Sequence, residues 1–186
     1  MLLLALSIAL YAVMVLLLPG FGPPFVAERR AVMPLVVIGH LAGGALALVI
    51  GPFQLNTRLR EKAFGRHRWM GRTYATAVLV GGGCALILAF GSQQGFVTHL
   101  GFGMLAVLWL SSTAMAWRRI RAGDRAGHRR WMIRSYALTL AAVTLRIWLP
   151  LALAAGMPFA SAYQAVAWFC WVPNLVVAEW LVLDAR

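Results

Sequence analysis

Charge is scarce in this chain. Only 12% of its 186 residues are charged, against 62% hydrophobic, whereas a soluble domain carries about 25% charged residues. Acidic residues number five, and arginine so outweighs lysine, which occurs once as Lys62, that the source genome's bias is the simplest reading. The two cysteines, Cys84 and Cys170, each sit alone in an apolar run. No CxxC or CxxCH is present, so a zinc ribbon, a thioredoxin-type site and covalent attachment of a c-type haem have no support. No linker or low-complexity stretch marks a second domain. The apolar runs do not alternate in polarity as the strands of a membrane barrel do. What remains is long apolar stretches separated by short basic ones, the pattern of a chain that crosses lipid as helices.

Six spans follow, at residues 2–18, 31–53, 69–91, 97–117, 131–154 and 162–183. Each is near the ~20 residues a helix needs to cross the hydrocarbon. The expectation is an all-α integral membrane protein, a single transmembrane domain over 1–186. Residues 2–18 lack a basic leader and a small-x-small cleavage site, and the run ends in Pro19-Gly20-Phe21-Gly22-Pro23-Pro24. A retained first helix is therefore expected rather than a secretion signal.

Thirteen of the 17 basic residues fall in two segments. One holds Arg58, Arg60, Lys62, Arg66, Arg68 and Arg72. The other holds Arg118, Arg119, Arg121, Arg125, Arg129, Arg130 and Arg134. The loops at 91–98 and 155–162 carry no charge, and the first outer loop sets Arg29 and Arg30 against Glu28. Positive-inside counting then places the arginine-rich loops and both termini in the cytoplasm. The net charge of +12 is thus explained by topology, and no nucleic-acid partner is expected.

The central four spans read as a duplicated two-helix unit. His40-Leu41-Ala42-Gly43-Gly44 opens one copy and His99-Leu100-Gly101-Phe102-Gly103 the other. The basic loops end in Trp69-Met70-Gly71-Arg72-Thr73-Tyr74-Ala75 and Trp131-Met132-Ile133-Arg134-Ser135-Tyr136-Ala137, identical at five of seven positions. Such symmetry points to two equivalent helical hairpins forming a central four-helix bundle. A shared headgroup anchor, with Trp and Tyr at the interface and Arg on phosphates, explains the second motif but not the matched His-Leu.

All four histidines fall on these spans, one each. His40 and His99 lie on the outer side, His67 and His128 on the inner side. A His inside lipid is a functional candidate by default. A pair of imidazoles from facing helices is what a b-type haem requires, one axial ligand on each face of the iron. Gly44 and Gly103 follow His40 and His99 by four residues, on the same helix face, and leave room for a flat macrocycle. The run Gly81-Gly82-Gly83 offers similar room or close helix packing. Metal ligation without haem is unsupported, because no Asp, Glu or Cys accompanies the pairs at ligand spacing. When the Trp-Met-x-Arg motifs are aligned, His67 falls opposite Arg129 and His128 opposite Arg66, one residue or about 100° out of register.

Arginines supply candidates for haem propionates. Arg72 and Arg134 are matched in the repeat on the inner side, and Arg146 lies well inside the apolar run of span five, where it must find an anion or water. Snorkelling to the outer headgroups or pairing with Glu28 is the plainer reading of Arg146. Glu179 is the only acid inside an apolar run, either a proton carrier for quinone chemistry or a partner for the inner arginines. A cofactor-free membrane protein, such as a small transporter or an accessory subunit of a larger complex, is the alternative function; Pro150 and Pro173 offer kinks for it, while mid-membrane ionisable groups are scarce.

Gly51-Pro52-Phe53-Gln54, followed by Arg58-Leu59-Arg60 and His67-Arg68-x-x-Gly71-Arg72-x-Tyr74, resembles a family of bacterial predicted membrane proteins whose name implies no activity. The likeness covers most of the chain from His40 to Tyr136. The arrangement of six helices with one His on each of the central four also resembles the cytochrome b561 type of di-haem protein. That resemblance implies two haems b, the outer ligated by His40 and His99 and the inner by His67 and His128. It also implies electron transfer across the bacterial inner membrane from a quinol or other small reductant. The sequence departs from that family in its dense inner arginines, its short loops and the lack of an ascorbate motif.

Overall fold

The computed structural model of the protein describes residues 2–18 and 20–184; Pro19 and the side chain of Arg60 lie outside the described residues. The described residues form helices and no strand. The helices are α1 (Leu2–Leu17), α2 (Pro24–Val32), α3 (Pro34–Gln54), α4 (Thr57–Lys62), α5 (Phe64–Phe90), α6 (Phe96–Arg121), α7 (Arg125–Thr139), α8 (Ala141–Ala154), α9 (Phe159–Phe169) and α10 (Val172–Asp184). Among the described residues five stretches are long and apolar enough to cross a bilayer: α3, α5, α6, α7 with α8 (Arg125–Ala154), and α9 into α10 (Phe159–Val182). The first apolar run is shorter, a helix of 16 residues and about 24 Å. Large apolar side chains point outward, with Leu3 78% and Leu35 82% exposed. Such a surface is a liability in water, but hydrocarbon is an apolar solvent and accepts it.

The sequence boundaries need two corrections. Span two begins at Pro34, not at residue 31, because the chain bends at Met33 (φ −133°, ψ 64°) between α2 and α3. Pro34 has no N–H to continue α2, yet suits the first position of a new helix. The separate α2 also gives Arg30 a task. Its Nη1 donates to the carbonyls of Val15 at 3.2 Å and Leu16 at 3.1 Å, which are among the carbonyls left open at the C-terminal end of α1.

Second, spans five and six each bend in mid-course. At Leu140 the backbone tightens, with Val143 N–H donating to Leu140 O, three residues back. At Cys170 it does the same, Trp171 N–H meeting Trp168 O, and Pro173 removes one of the donors that would close the next turn. Asn174 Nδ2 bridges the bends, donating to Ala137 O (3.3 Å), Thr144 Oγ1 (3.1 Å) and Cys170 O (3.0 Å). Thr144 Oγ1 also donates to Cys170 O.

The helices group into two compact units, Met1–Leu88 and Ala89–Arg186. That division falls between the two copies of the sequence repeat. In the first unit α3 packs on α1 through a small-residue face, Ala5, Ala9 and Ala12. It meets α5 backbone to backbone: a methyl group on Gly43 would stand 2.6 Å from Ala77 O and 2.8 Å from Gly81. In the second unit α6 packs on α7 through hydrogen bonds, Trp109 Nε1 to Thr139 Oγ1 at 2.9 Å and Thr113 Oγ1 with Ser135 Oγ at 2.7 Å. There α7 also meets α10, and α8 meets α9.

Candidate functional site

The histidines are best described with the helices that hold them. His40 is half-buried on α3, and its Nδ1 lies 3.1 Å from Gly81 O of α5. The glycine crossing at Gly43 and Gly81 is what brings that carbonyl within reach. His128, in the first turn of α7, is also half-buried, with Nδ1 2.9 Å from Ala116 O of α6. A carbonyl only accepts, so Nδ1 carries the proton in both rings. In the neutral ring Nε2 is then the unprotonated nitrogen, the form that binds a metal.

His99 is held the other way round. Its Nε2 lies 2.6 Å from Ser92 O, in a turn fixed by Thr98 Oγ1, which donates to Gly95 O at 2.7 Å and meets Ser92 Oγ at 2.8 Å. His67 is half-buried on α5 and stacks on Phe64, ring centroids 6.5 Å apart. Its carbonyl accepts from Gln54 Nε2 at 3.3 Å. A methyl on Gly71 would stand 3.1 Å from Gln54 Oε1, so Gly71 makes room for the glutamine that ties the end of α3 to α5.

Glycines sort into two kinds. A methyl on Gly44, Gly103 or Gly83 would meet nothing within 4 Å. Gly43 and Gly81 form the helix crossing, and Gly101 packs on α9, where a methyl would stand 2.9 Å from Ala167 O. The positions one turn beyond His40 and His99 are therefore open, as a flat ligand requires and as lipid also permits, while their neighbours are closed.

The arginines differ more than the repeat suggests. Arg134 of α7 makes a bidentate pair with Glu179 of α10, Nε to Oε1 and Nη2 to Oε2, both at 2.6 Å. Its guanidinium carbon also lies 4.7 Å from the centre of the Trp131 ring. Arg72 is exposed on α5. Arg146 is half-buried, and its Nη1 donates to Ala142 O of its own helix at 2.8 Å. Between α6 and α7, Asp124 caps α7 by accepting from Gly127 N–H at 2.7 Å and meets Arg119 at 3.3 Å. Among the described residues no three His, Cys, Asp or Glu side chains gather to hold a metal ion.

Sequence reasoning passed over the Thr144–Cys170–Asn174 junction. Pro173 was the one local signal for a bend there, and nothing marks Leu140. It also could not say which nitrogen each imidazole uses. The family model described as "Predicted membrane protein (DUF2306)" matches residues 37–182. No curated protein and no solved structure matches the chain.

Proposed function

We propose that this chain, which belongs to the DUF2306 family of predicted membrane proteins, carries electrons across a bilayer through two b-type haems held by His40, His67, His99 and His128. One observation supports the reading most. His40 in the first unit and His128 in the second each fix Nδ1 on a backbone carbonyl of the neighbouring helix. That bond holds the ring and leaves Nε2 as the ligating nitrogen, as metal-bound imidazoles do. When bound, haem supplies a one-electron iron couple. The chain supplies axial nitrogens, clearance at Gly44 and Gly103, and arginines for the propionates. Of those, Arg134 is paired with Glu179, and Arg146 is the proposed propionate partner. His99 fits less directly, since ligation through Nε2 requires its ring to release Ser92 O. The membrane is taken to be the bacterial inner membrane with both termini cytoplasmic, and a quinol or small reductant supplies the electrons.

A reduced-minus-oxidised visible spectrum of the purified protein should show a b-type haem band. His40→Ala should then lose about half the bound haem, as expected if each haem needs both axial nitrogens. A haem-free protein ends the proposal, and unchanged haem content in His40→Ala removes His40 from it. One observation favours a cofactor-free transporter instead: the bends at Leu140 and Cys170 are joined by Asn174, and interrupted helices are where transporters place their binding groups. The same spectrum separates the two readings.

A further inference from the structure

The two copies of the Trp-Met-x-Arg frame allow an internal comparison. Tyr74 and Tyr136, two residues past each arginine, are 0% and 5% exposed. Both tyrosines are buried, so in each copy the arginine leaves its helix in the same register relative to a buried side chain. The second unit shows what the arginine of this frame takes: a planar oxyanion, gripped at both prongs of the guanidinium. Glu179 supplies that oxyanion from α10. Arg72 is exposed, and among the described residues no carboxylate is set against it.

We propose that Arg72 holds the phosphate of an anionic phospholipid at the arginine-rich membrane face, in the role that Glu179 plays for Arg134. Carboxylate and phosphate both present two oxygens at the spacing of the guanidinium fork, so the frame accepts either. Trp69, 69% exposed on the preceding turn, is of the residue type that settles at the headgroup level. Arg72 lies nine residues into a 27-residue helix. It is therefore about 12 Å along the axis from the helix start, within reach of the lipid boundary by its own length. The site differs from the diffuse attraction of the other basic residues in having a fixed place on a buried-anchored frame.

The test is native mass spectrometry of the full chain in mild detergent, with phosphatidylglycerol as the probe. Wild type should retain one more phosphatidylglycerol per chain than Arg72→Gln. Arg66→Gln, an exposed arginine outside the frame, should retain as many as wild type. A phosphate-free digalactosyl lipid should show no difference between wild type and Arg72→Gln, and inorganic phosphate should not displace the retained lipid. Equal retention by wild type and Arg72→Gln overturns the proposal. An equal loss in Arg66→Gln also overturns it, since the attraction would then be diffuse surface charge. Displacement by inorganic phosphate would assign the site to a soluble anion and overturn the lipid.

Discussion

The two units carry the same repeat and are held together by different chemistry. In the first, α3 and α5 meet at glycine, backbone against backbone. In the second, α6 and α7 are joined by hydroxyls and an indole, and α7 and α10 by an ion pair. Inside lipid both devices work for the same reason: apolar side chains gain nothing by leaving an apolar solvent, so association depends on close contact or on polar bonds. One duplicated frame thus accepts either, depending on the helices added to it. The first unit gains α1 and α2, the second α9 and α10.

The largest effect is expected at the glycine crossing. Gly43→Ala places a methyl 2.6 Å from Ala77 O, and a backbone carbonyl has no rotamer by which to yield. Overpacking of this kind costs about 1–3 kcal/mol. Gly65→Ala, in the first turn of α5, meets open space and should stay within about 0.5 kcal/mol of wild type. Thermal unfolding in detergent separates the two, and matched midpoints would mean that the crossing does not hold the first unit together.

The second largest effect belongs to the ion pair. Glu179→Gln leaves Arg134 without its anion. Breaking a fully buried pair costs about 3–5 kcal/mol, but Glu179 is 41% exposed, so solvent screening lowers the expectation to about 1 kcal/mol. Arg72→Gln, at the matched position, should leave the midpoint in lipid-free detergent unchanged. A loss in Arg72→Gln as large as that in Glu179→Gln would show that the arginines are equivalent after all.

Much of this architecture could be read from residue patterns alone. The six apolar runs appear as helices, and the repeat found by matching His40-Leu41 with His99-Leu100 is divided where the two compact units divide. Hydropathy reports burial in lipid, and span-scale features follow from it. It is silent on finer matters. Glu28, Arg29 and Arg30 were read as loop and residues 31–33 as the start of span two, although Pro34 was a legible stop signal. The bend at Leu140 has no proline within the span's preceding turns; it coincides with Thr139 and Thr144 bonding back to their own helix, a choice threonine makes only in context. The nitrogen used by each histidine depends on which carbonyl lies nearby, so the reversed ring of His99 had no signal in sequence. The pairing of Arg134 with Glu179 crosses 45 residues, and only the basic loop as a whole suggested it.

A smaller effect sharpens the contrast between glycine and hydroxyl packing. Thr113→Val keeps the shape of the side chain at the α6–α7 contact but removes its bond to Ser135. Interhelical hydrogen bonds in membrane proteins average about 0.6 kcal/mol, and the loss should be of that order. A double-mutant cycle with Ser135→Ala measures the coupling, and a coupling of zero would remove the hydroxyl pair from the account of the second unit.

The smallest effect lies at the start of α7, where the copies differ in the sign of one charge. The repeat offset of the Trp-Met-x-Arg frame sets Asp124 opposite Lys62. Asp124 caps its helix through Gly127 N–H, and that bond holds the carboxyl below its ordinary value of 3.8 against an opposing desolvation, with Arg119 and Arg130 assisting. The folded state thus binds its proton less readily than the unfolded chain. Between the lowered value and 3.8 the unfolded chain carries more protons, so the cap's contribution is fully present above 3.8 and is lost as pH falls through the folded value. Asparagine caps helices about as well as aspartate but does not titrate. Wild type should therefore lose stability more steeply than Asp124→Asn as pH falls below 3.8, with the two curves parallel above it. Every other acidic group is the same in both proteins, so the difference between the two curves reports Asp124. Parallel curves through the acid range would mean that the Gly127 bond does not discriminate between the two forms of the carboxyl. The start of α7, and with it the placement of His128, would then owe nothing to the charge that distinguishes it from its counterpart in the first unit.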